Sequence, residues 1–289
     1  MITGGSIHAH VAWARQRLRE AGIPSGEADL DARLLAQTLL QWDSARLLTG
    51  GDEAGPPDFE ERYRALVARR EAREPLAYIL GRQEFWNLPF EVTPAVLIPR
   101  PETELIVEVA LELFEQPVAP VRVADLGTGS GCLAIAIARE RPRSRLVAID
   151  ISEEALEVAR RNAVRHGVAD RMVFVRSDLL GGISGEFDLI VSNPPYVPES
   201  NRGTLQPEVR DHEPGMALFA GLDGLSAIRR LLSESAGCLG RSGVLLFEFG
   251  FGQSDAVRRL ISAAPGLTMV GLRQDLQGIQ RVAVARRSG

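Results

Sequence analysis

Asp125-Leu126-Gly127-Thr128-Gly129-Ser130-Gly131 is the stretch on which the fold turns. It ends a strand pattern, residues 121–125, and precedes Cys132-Leu133-Ala134-Ile135-Ala136-Ile137, where a helix pattern begins. A strand that passes over glycines into a helix is the opening unit of an α/β sheet. Glycine permits the tight turn and lets backbone approach a bound molecule closely. In open parallel sheets such molecules lie beyond the C-terminal ends of the strands.

Outward from this loop, strand and helix patterns alternate. The periodicity predicts strands at 121–125, 145–150, 172–177, 187–192 and 244–249, with helices at 131–140, 152–166, 224–239 and 254–263. Two further strands, near 267–272 and 279–285, follow one another without a helix. The pattern predicts a Rossmann-like α/β fold, a mostly parallel sheet covered on both faces and ending in an antiparallel hairpin.

Upstream the pattern changes. Ile7, Val11, Ala14, Leu18 and Ala21 recur at helical spacing between Ser6, an N-cap, and Gly22, a stop. Leu30, Leu34, Leu35 and Leu39 mark a second helix over 26–41, and further helices are expected at 59–73 and 75–80. Phe85-Trp86-Asn87-Leu88-Pro89-Phe90-Glu91-Val92 reads as a short β-hairpin with Asn87 to Pro89 near its turn. The expected division is a small helical-bundle domain over 1–82, a hairpin linker over 83–99, and the α/β domain over 100–289.

The chain has 289 residues, 45% hydrophobic and 25% charged, the composition of an ordinary globular protein. All 33 basic residues are arginine, and the net charge is −5. Residues 1–98 hold 11 arginines against 14 acids and the remainder 22 against 24, so neither part is a basic arm. Binding to duplex nucleic acid is therefore disfavoured. Residues 1–14 lack the apolar core of a signal peptide, and no run is long enough to span a membrane. Cys132 and Cys238 read as buried small hydrophobes in a reducing compartment, and no histidine has metal-ligand spacing with a partner. A cytoplasmic, metal-free monomer is expected.

The glycine spacing sorts the ligand. A dinucleotide fingerprint places its third glycine where Cys132 stands, which argues against a nicotinamide dehydrogenase. Gly127-Thr128-Gly129-Ser130-Gly131 instead resembles the cofactor loop of class I S-adenosylmethionine methyltransferases. Asp150 ends the second strand, where a carboxylate accepts both ribose hydroxyls or else caps the next helix. In methyltransferases of this type an acid at Asp178 faces the adenine amino group, with Leu179 beside the ring.

Asn193-Pro194-Pro195-Tyr196 follows the fourth apolar strand. The Asn193 side-chain oxygen and the Pro194 carbonyl are acceptors for the two hydrogens of a planar –NH2 group. Proline has no N–H to compete, and Pro195 holds Pro194 extended. Tyr196 suits a place against the planar group, excluding water. Such a nitrogen has a delocalised lone pair, so its methylation asks for placement more than for a strong base. Placement of this kind supplies up to about 7–11 kcal/mol in intramolecular models.

With these motifs stand Glu74-Pro75-Leu76-Ala77-Tyr78-Ile79-Leu80-Gly81, Leu97-Ile98-Pro99-Arg100-Pro101-Glu102-Thr103-Glu104, Glu213-Pro214, Ala217-Leu218-Phe219-Ala220-Gly221 and Asp223-Gly224-Leu225. Together they resemble the PrmC/HemK family, protein-(glutamine-N5) methyltransferases of class 1 peptide-chain release factors. The resemblance implies transfer of a methyl group from S-adenosyl-L-methionine, leaving S-adenosyl-L-homocysteine, to the glutamine amide of a Gly-Gly-Gln loop. It implies cofactor contacts at Gly127 to Gly131, Asp150, Asp178, Leu179 and Asn193. The substrate clamp falls on Asn193, Pro194, Pro195 and Tyr196, and release-factor recognition on the helical domain. The segment from Pro99 to Glu102 is expected to wall the pocket, with Arg100 either part of that wall or a surface salt-bridge residue. The alternatives are a nucleobase amino-N methyltransferase using the same clamp, or a non-catalytic, cofactor-dependent binding protein.

Overall fold

The computed structural model describes residues 5–114, 119–183 and 185–288. The first four residues of the stretch weighed as a signal peptide lie outside them.

By internal contacts the chain forms two units, one of Met1–Gly81 with Gln206–His212, the other of Arg82–Leu205 with Glu213–Gly289. In the first, α1 (Ile7–Glu20), α2 (Ser25–Leu40), α3 (Ser44–Gly50), α4 (Phe59–Glu71) and α5 (Leu76–Leu80) enclose a core of Ile7, Leu18, Leu35, Tyr63 and Val67. Ser6 caps α1, its hydroxyl accepting from the Ala9 N–H at 3.3 Å. The Arg70 guanidinium is buried between Asp31 (2.7 Å) and Glu208 (2.8 Å), so two carboxylates satisfy a cation withdrawn from water. Helix α3 was not anticipated; its sequence, Ser44-Ala45-Arg46-Leu47-Leu48-Thr49-Gly50, is too short to show a period.

The second unit opens with β1 (Arg82–Phe85) and β2 (Leu88–Glu91). The turn falls on Trp86 and Asn87, both at φ 53°, one residue earlier than expected, and Pro89 sits within β2 opposite Glu84. Two left-handed residues in succession match the right-handed twist of a hairpin. The hairpin packs into this unit's core. Phe85 and Phe90 are buried in it, and the Asn162 side chain brackets the Glu91 backbone at 2.7 and 3.0 Å.

After α6 (Glu104–Leu113) the chain alternates through β3 (Arg122–Leu126), α7 (Cys132–Glu140), β4 (Arg145–Asp150), α8 (Glu153–Arg165), β5 (Met172–Arg176) and β6 (Phe187–Ser192). Two short helices follow, α9 (Pro207–His212) in the helical unit and α10 (Gly215–Leu218). Then come α11 (Ser226–Cys238), β7 (Leu239–Glu248), α12 (Ser254–Ala263), β8 (Leu267–Gln274) and β9 (Gln280–Arg287). Strand β7 starts five residues before its expected place, across a register irregularity opposite Phe187 and Leu189.

The seven strands lie in the order β5-β4-β3-β6-β7-β9-β8. The first five are parallel neighbours, β8 and β9 form the antiparallel pair expected at the end of the sheet, and β9 also runs antiparallel to β7. Alternate residues feed opposite faces. Val123, Leu189, Val191 and Leu246 pack against α6 and α7, while Ala124, Leu126, Ile190 and Phe247 pack against α11 and α12. The chain enters at β3, moves outward to β5, and returns to β6 on the other side of β3. That reversal opens a crevice beyond the C-terminal ends of β3 and β6.

Candidate active site

Strand register assembles the site. Leu126 pairs with Ile149 and with Ser192, and Ser192 pairs with Phe247. One step further along, Asp150, Gly127, Asn193 and Glu248 therefore stand in one row across the sheet. A cavity of about 380 Å³ lies at this end, lined by Gly127, Thr128, Gly129, Ser130, Asp150, Asp178, Leu179, Asn193 and Pro195 among others. Of the residues expected at the site, Gly131, Pro194 and Tyr196 do not line it.

The glycine loop is built for open space. Gly127 (φ +70°) and Gly129 (φ +55°) would place an added Cβ where, adjoining residues aside, no atom of the described residues lies within 4 Å. Gly131 differs. At φ +81° its Cβ would stand 3.0 Å from Ile135 Cδ1 and 3.2 Å from Ala159 Cβ, so this glycine lets α7 and α8 approach. We expect Gly131→Ala to destabilise the protein by about 1–3 kcal/mol, combining left-handed strain with crowding. Urea unfolding measures this, and a wild-type midpoint would contradict it. Beneath the loop, Asp125 accepts from Thr128 Oγ1 (2.7 Å) and the Ala134 N–H (3.2 Å). Its burial pushes its pKa up to about 7.

Asp150 accepts from the Gly129 N–H (2.9 Å) and the Ser152 N–H (3.0 Å). It does not cap α8; the Ser152 hydroxyl does, accepting from the Ala155 N–H at 3.1 Å. Burial raises the Asp150 pKa, and the backbone N–H donors pull it back. Each carboxylate oxygen retains acceptor capacity, as a vicinal diol requires. The Ser130 hydroxyl is buried beside the Cys132 thiol, lines the cavity and, among the described residues, has no hydrogen-bond partner of normal geometry. A glycine loop with open space, a carboxylate with spare lone pairs and a buried hydroxyl suit an amino-acid nucleoside such as S-adenosylmethionine. Asp178 meets Arg230 at 3.1 Å, both half exposed, and Leu179 holds φ 53°, a costly conformation for a residue with a branched side chain.

The Asn193 Nδ2 donates to Thr103 Oγ1 (3.0 Å), Thr103 donates to Glu248 Oε2 (2.6 Å), and the Tyr196 hydroxyl donates to Glu248 Oε1 (2.8 Å). The Gln253 amide holds the Tyr196 carbonyl at 3.0 Å. Burial raises the pKa of Glu248, and the Thr103 and Tyr196 hydroxyls oppose the rise. The Tyr196 phenol is pushed upward by burial and by Glu248. Pro99 and Thr103 line the cavity, whereas Arg100 forms a salt bridge with the buried Glu213. Sequence reasoning missed Thr103, Glu248, Ser152 and Arg230. Glu248 was detectable in principle, because it closes the apolar run Val244-Leu245-Leu246-Phe247 just as Asp125 and Asp150 close theirs.

A profile described as a methyltransferase small domain matches residues 104–206, and one described as the PrmC N-terminal domain matches 10–81. A methyltransferase from Pyrococcus furiosus superposes with a TM-score of 0.50 at 19% identity, over 78% of this chain and 98% of that one, a likeness of fold alone. Sheet order, glycine loop and profile define a class I S-adenosylmethionine-dependent methyltransferase. The release factor glutamine methyltransferase of Bradyrhizobium diazoefficiens is 42% identical over 295 residues, covering 99% of this chain and 96% of the relative. That of Geobacter sulfurreducens is 42% identical over 282 residues, covering 97% and 96%. The chain belongs to the release factor glutamine methyltransferase family.

Proposed function

We propose that the protein methylates the side-chain amide nitrogen of the glutamine in the Gly-Gly-Gln motif of class 1 peptide-chain release factors. The observation that carries this reading is the position of Asn193. It stands one strand from the glycine loop, on the same cavity as Asp150, with its Nδ2 engaged elsewhere and Oδ1 available as an acceptor.

In this reading Gly127 to Ser130, Asp150, Asp178 and Leu179 hold S-adenosyl-L-methionine, with Gly131 supporting the loop from behind. The chemistry supplied by the bound cofactor is an activated methyl group on a cationic sulfur, with S-adenosyl-L-homocysteine as product. Asn193 Oδ1 on the cavity wall receives one amide hydrogen, and the Pro194 carbonyl, just outside the lining, is assigned the other; this aims the nitrogen lone pair, and the surplus proton leaves to solvent once the nitrogen is methylated. Pro195 fixes the course of the turn. Tyr196 supports it from behind through Glu248 and Gln253, since it does not line the cavity. The helical unit recognises the release factor, because an amide in a loop offers too little surface for selectivity.

The protein works as a cytoplasmic monomer on a protein substrate. The net charge of −5 supports a substrate other than nucleic acid, and among the described residues no helix is long and apolar enough to cross a membrane. Mass spectrometry of a release factor incubated with the protein and isotopically labelled cofactor is expected to place one methyl group on the glutamine of Gly-Gly-Gln. Label on any other residue, or efficient labelling of RNA or DNA alone, would overturn the assignment.

A further inference from the structure

Glu248 is an expensive residue where it stands. It is 2% exposed, at the end of the apolar run from Val244 to Phe247, and among the described residues it forms no ion pair. An apolar residue of similar size would suit the neighbourhood better, since a buried carboxylate loses its hydration. Its contacts are two hydroxyls, Thr103 Oγ1 at 2.6 Å and Tyr196 OH at 2.8 Å, and Thr103 is in turn 3.0 Å from Asn193 Nδ2.

We propose that Glu248 and Thr103 are positioning residues that fix which end of the Asn193 amide faces the substrate. Donor and acceptor polarity sets the orientation. In its ionised form, which the two hydroxyl donors favour against the cost of burial, the carboxylate only accepts, so both hydroxyls donate to it. The Thr103 proton is then committed to Glu248, and Thr103 Oγ1 can only accept from Asn193. This selects the rotamer with Nδ2 toward Thr103 and Oδ1 away from it. The two ends of a carboxamide are nearly identical in shape, so packing alone does not choose between them. The flipped amide would set an –NH2 against the substrate –NH2, two donors facing each other. The same carboxylate holds the Tyr196 hydroxyl, so one buried charge orders both ends of the Asn193-Pro194-Pro195-Tyr196 turn. Register supplies the placement, since Glu248 occupies the position beside Asn193 on the adjacent strand.

This inference rests on the proposed glutamine methylation for its catalytic consequence, but the orientation of Asn193 is measurable without a substrate. In the full-length protein, Thr103→Val, which keeps shape and removes the hydroxyl, is expected to lower kcat about 10²-fold. Thr103→Ser should restore most of that loss. Glu248→Gln, which returns a donor to the site, should lower kcat at least about tenfold while the KM for cofactor changes less than about threefold. Independently, NMR of the protein without substrate should show the Asn193 side-chain NH2 protected from hydrogen exchange. That protection should disappear in Thr103→Val and Glu248→Gln.

Unchanged protection in both variants would overturn the proposal, as would a Thr103→Ser protein as impaired as Thr103→Val. A loss confined to cofactor affinity would also overturn it. A wild-type protein inactive on release factors would remove the substrate assignment, and the exchange measurement would still decide the role of Glu248.

Discussion

Asn193→Ala is expected to lower turnover by about 10³-fold, the upper range for removing one preorganised polar contact from a transition state. Affinity for S-adenosylmethionine should stay within a few-fold. The alanine removes the acceptor proposed for one amide hydrogen and leaves the glycine loop and Asp150 intact. It also frees Thr103, whose hydroxyl still has Glu248 as partner, so the fold loses one hydrogen bond and no buried charge is left alone. Steady-state kinetics with calorimetry of cofactor binding separates the two effects. Equal losses in turnover and in cofactor affinity would mean that Asn193 serves the cofactor more than the amide, and the clamp would have to be reassigned.

Asp150→Ala should show the opposite split. Its two carboxylate oxygens order the Gly129 and Ser152 N–H groups and, in the proposed complex, receive the ribose hydroxyls. Hydrogen bonds to a charged group contribute about 1.5–3 kcal/mol each, so loss of the pair should weaken cofactor binding by roughly 10²–10⁴-fold. Turnover at saturating cofactor should fall far less, because Asp150 lies on the strand beyond β3 from Asn193. Calorimetry showing wild-type affinity would remove Asp150 from the cofactor site. Asp150→Asn, which keeps one acceptor oxygen, should be intermediate.

Much of this site is local in origin. The glycine loop, the acid ending β4 and the proline turn after β6 are each written in consecutive residues, because each lies where one strand stops. A strand end and a left-handed glycine turn depend on the backbone preferences of a few neighbours. The same locality made the alternation of β3 to β6 with α7 and α8 legible, and the final antiparallel pair, β8 and β9, with it. Where elements are short, the signal thins. Helices α3, α9 and α10, with 7, 6 and 4 residues, complete at most two turns, too few for a period to show. The hairpin turn was displaced for a similar reason. Asn87-Leu88-Pro89 carries two turn-forming residues, and only pairing with β1 decides that Pro89 belongs to the strand.

The sequence by itself determined the class of fold, the glycine loop, and the Asn193 turn proposed to face the reactive nitrogen. Tertiary structure decided which residues support that one. Asn193, Thr103 and Glu248 are 90 and 145 positions apart along the pairs that join them, and no local pattern links them. Parallel register brings Ser192 beside Phe247 and hence Asn193 beside Glu248, and the turn over Pro101–Thr103 supplies the hydroxyl between them. Hydrophobic periodicity reports which face of a strand is buried. It carries no information on which polar side chains will meet at the strand ends, because that depends on strand order and register, which are set by the packing of the whole sheet.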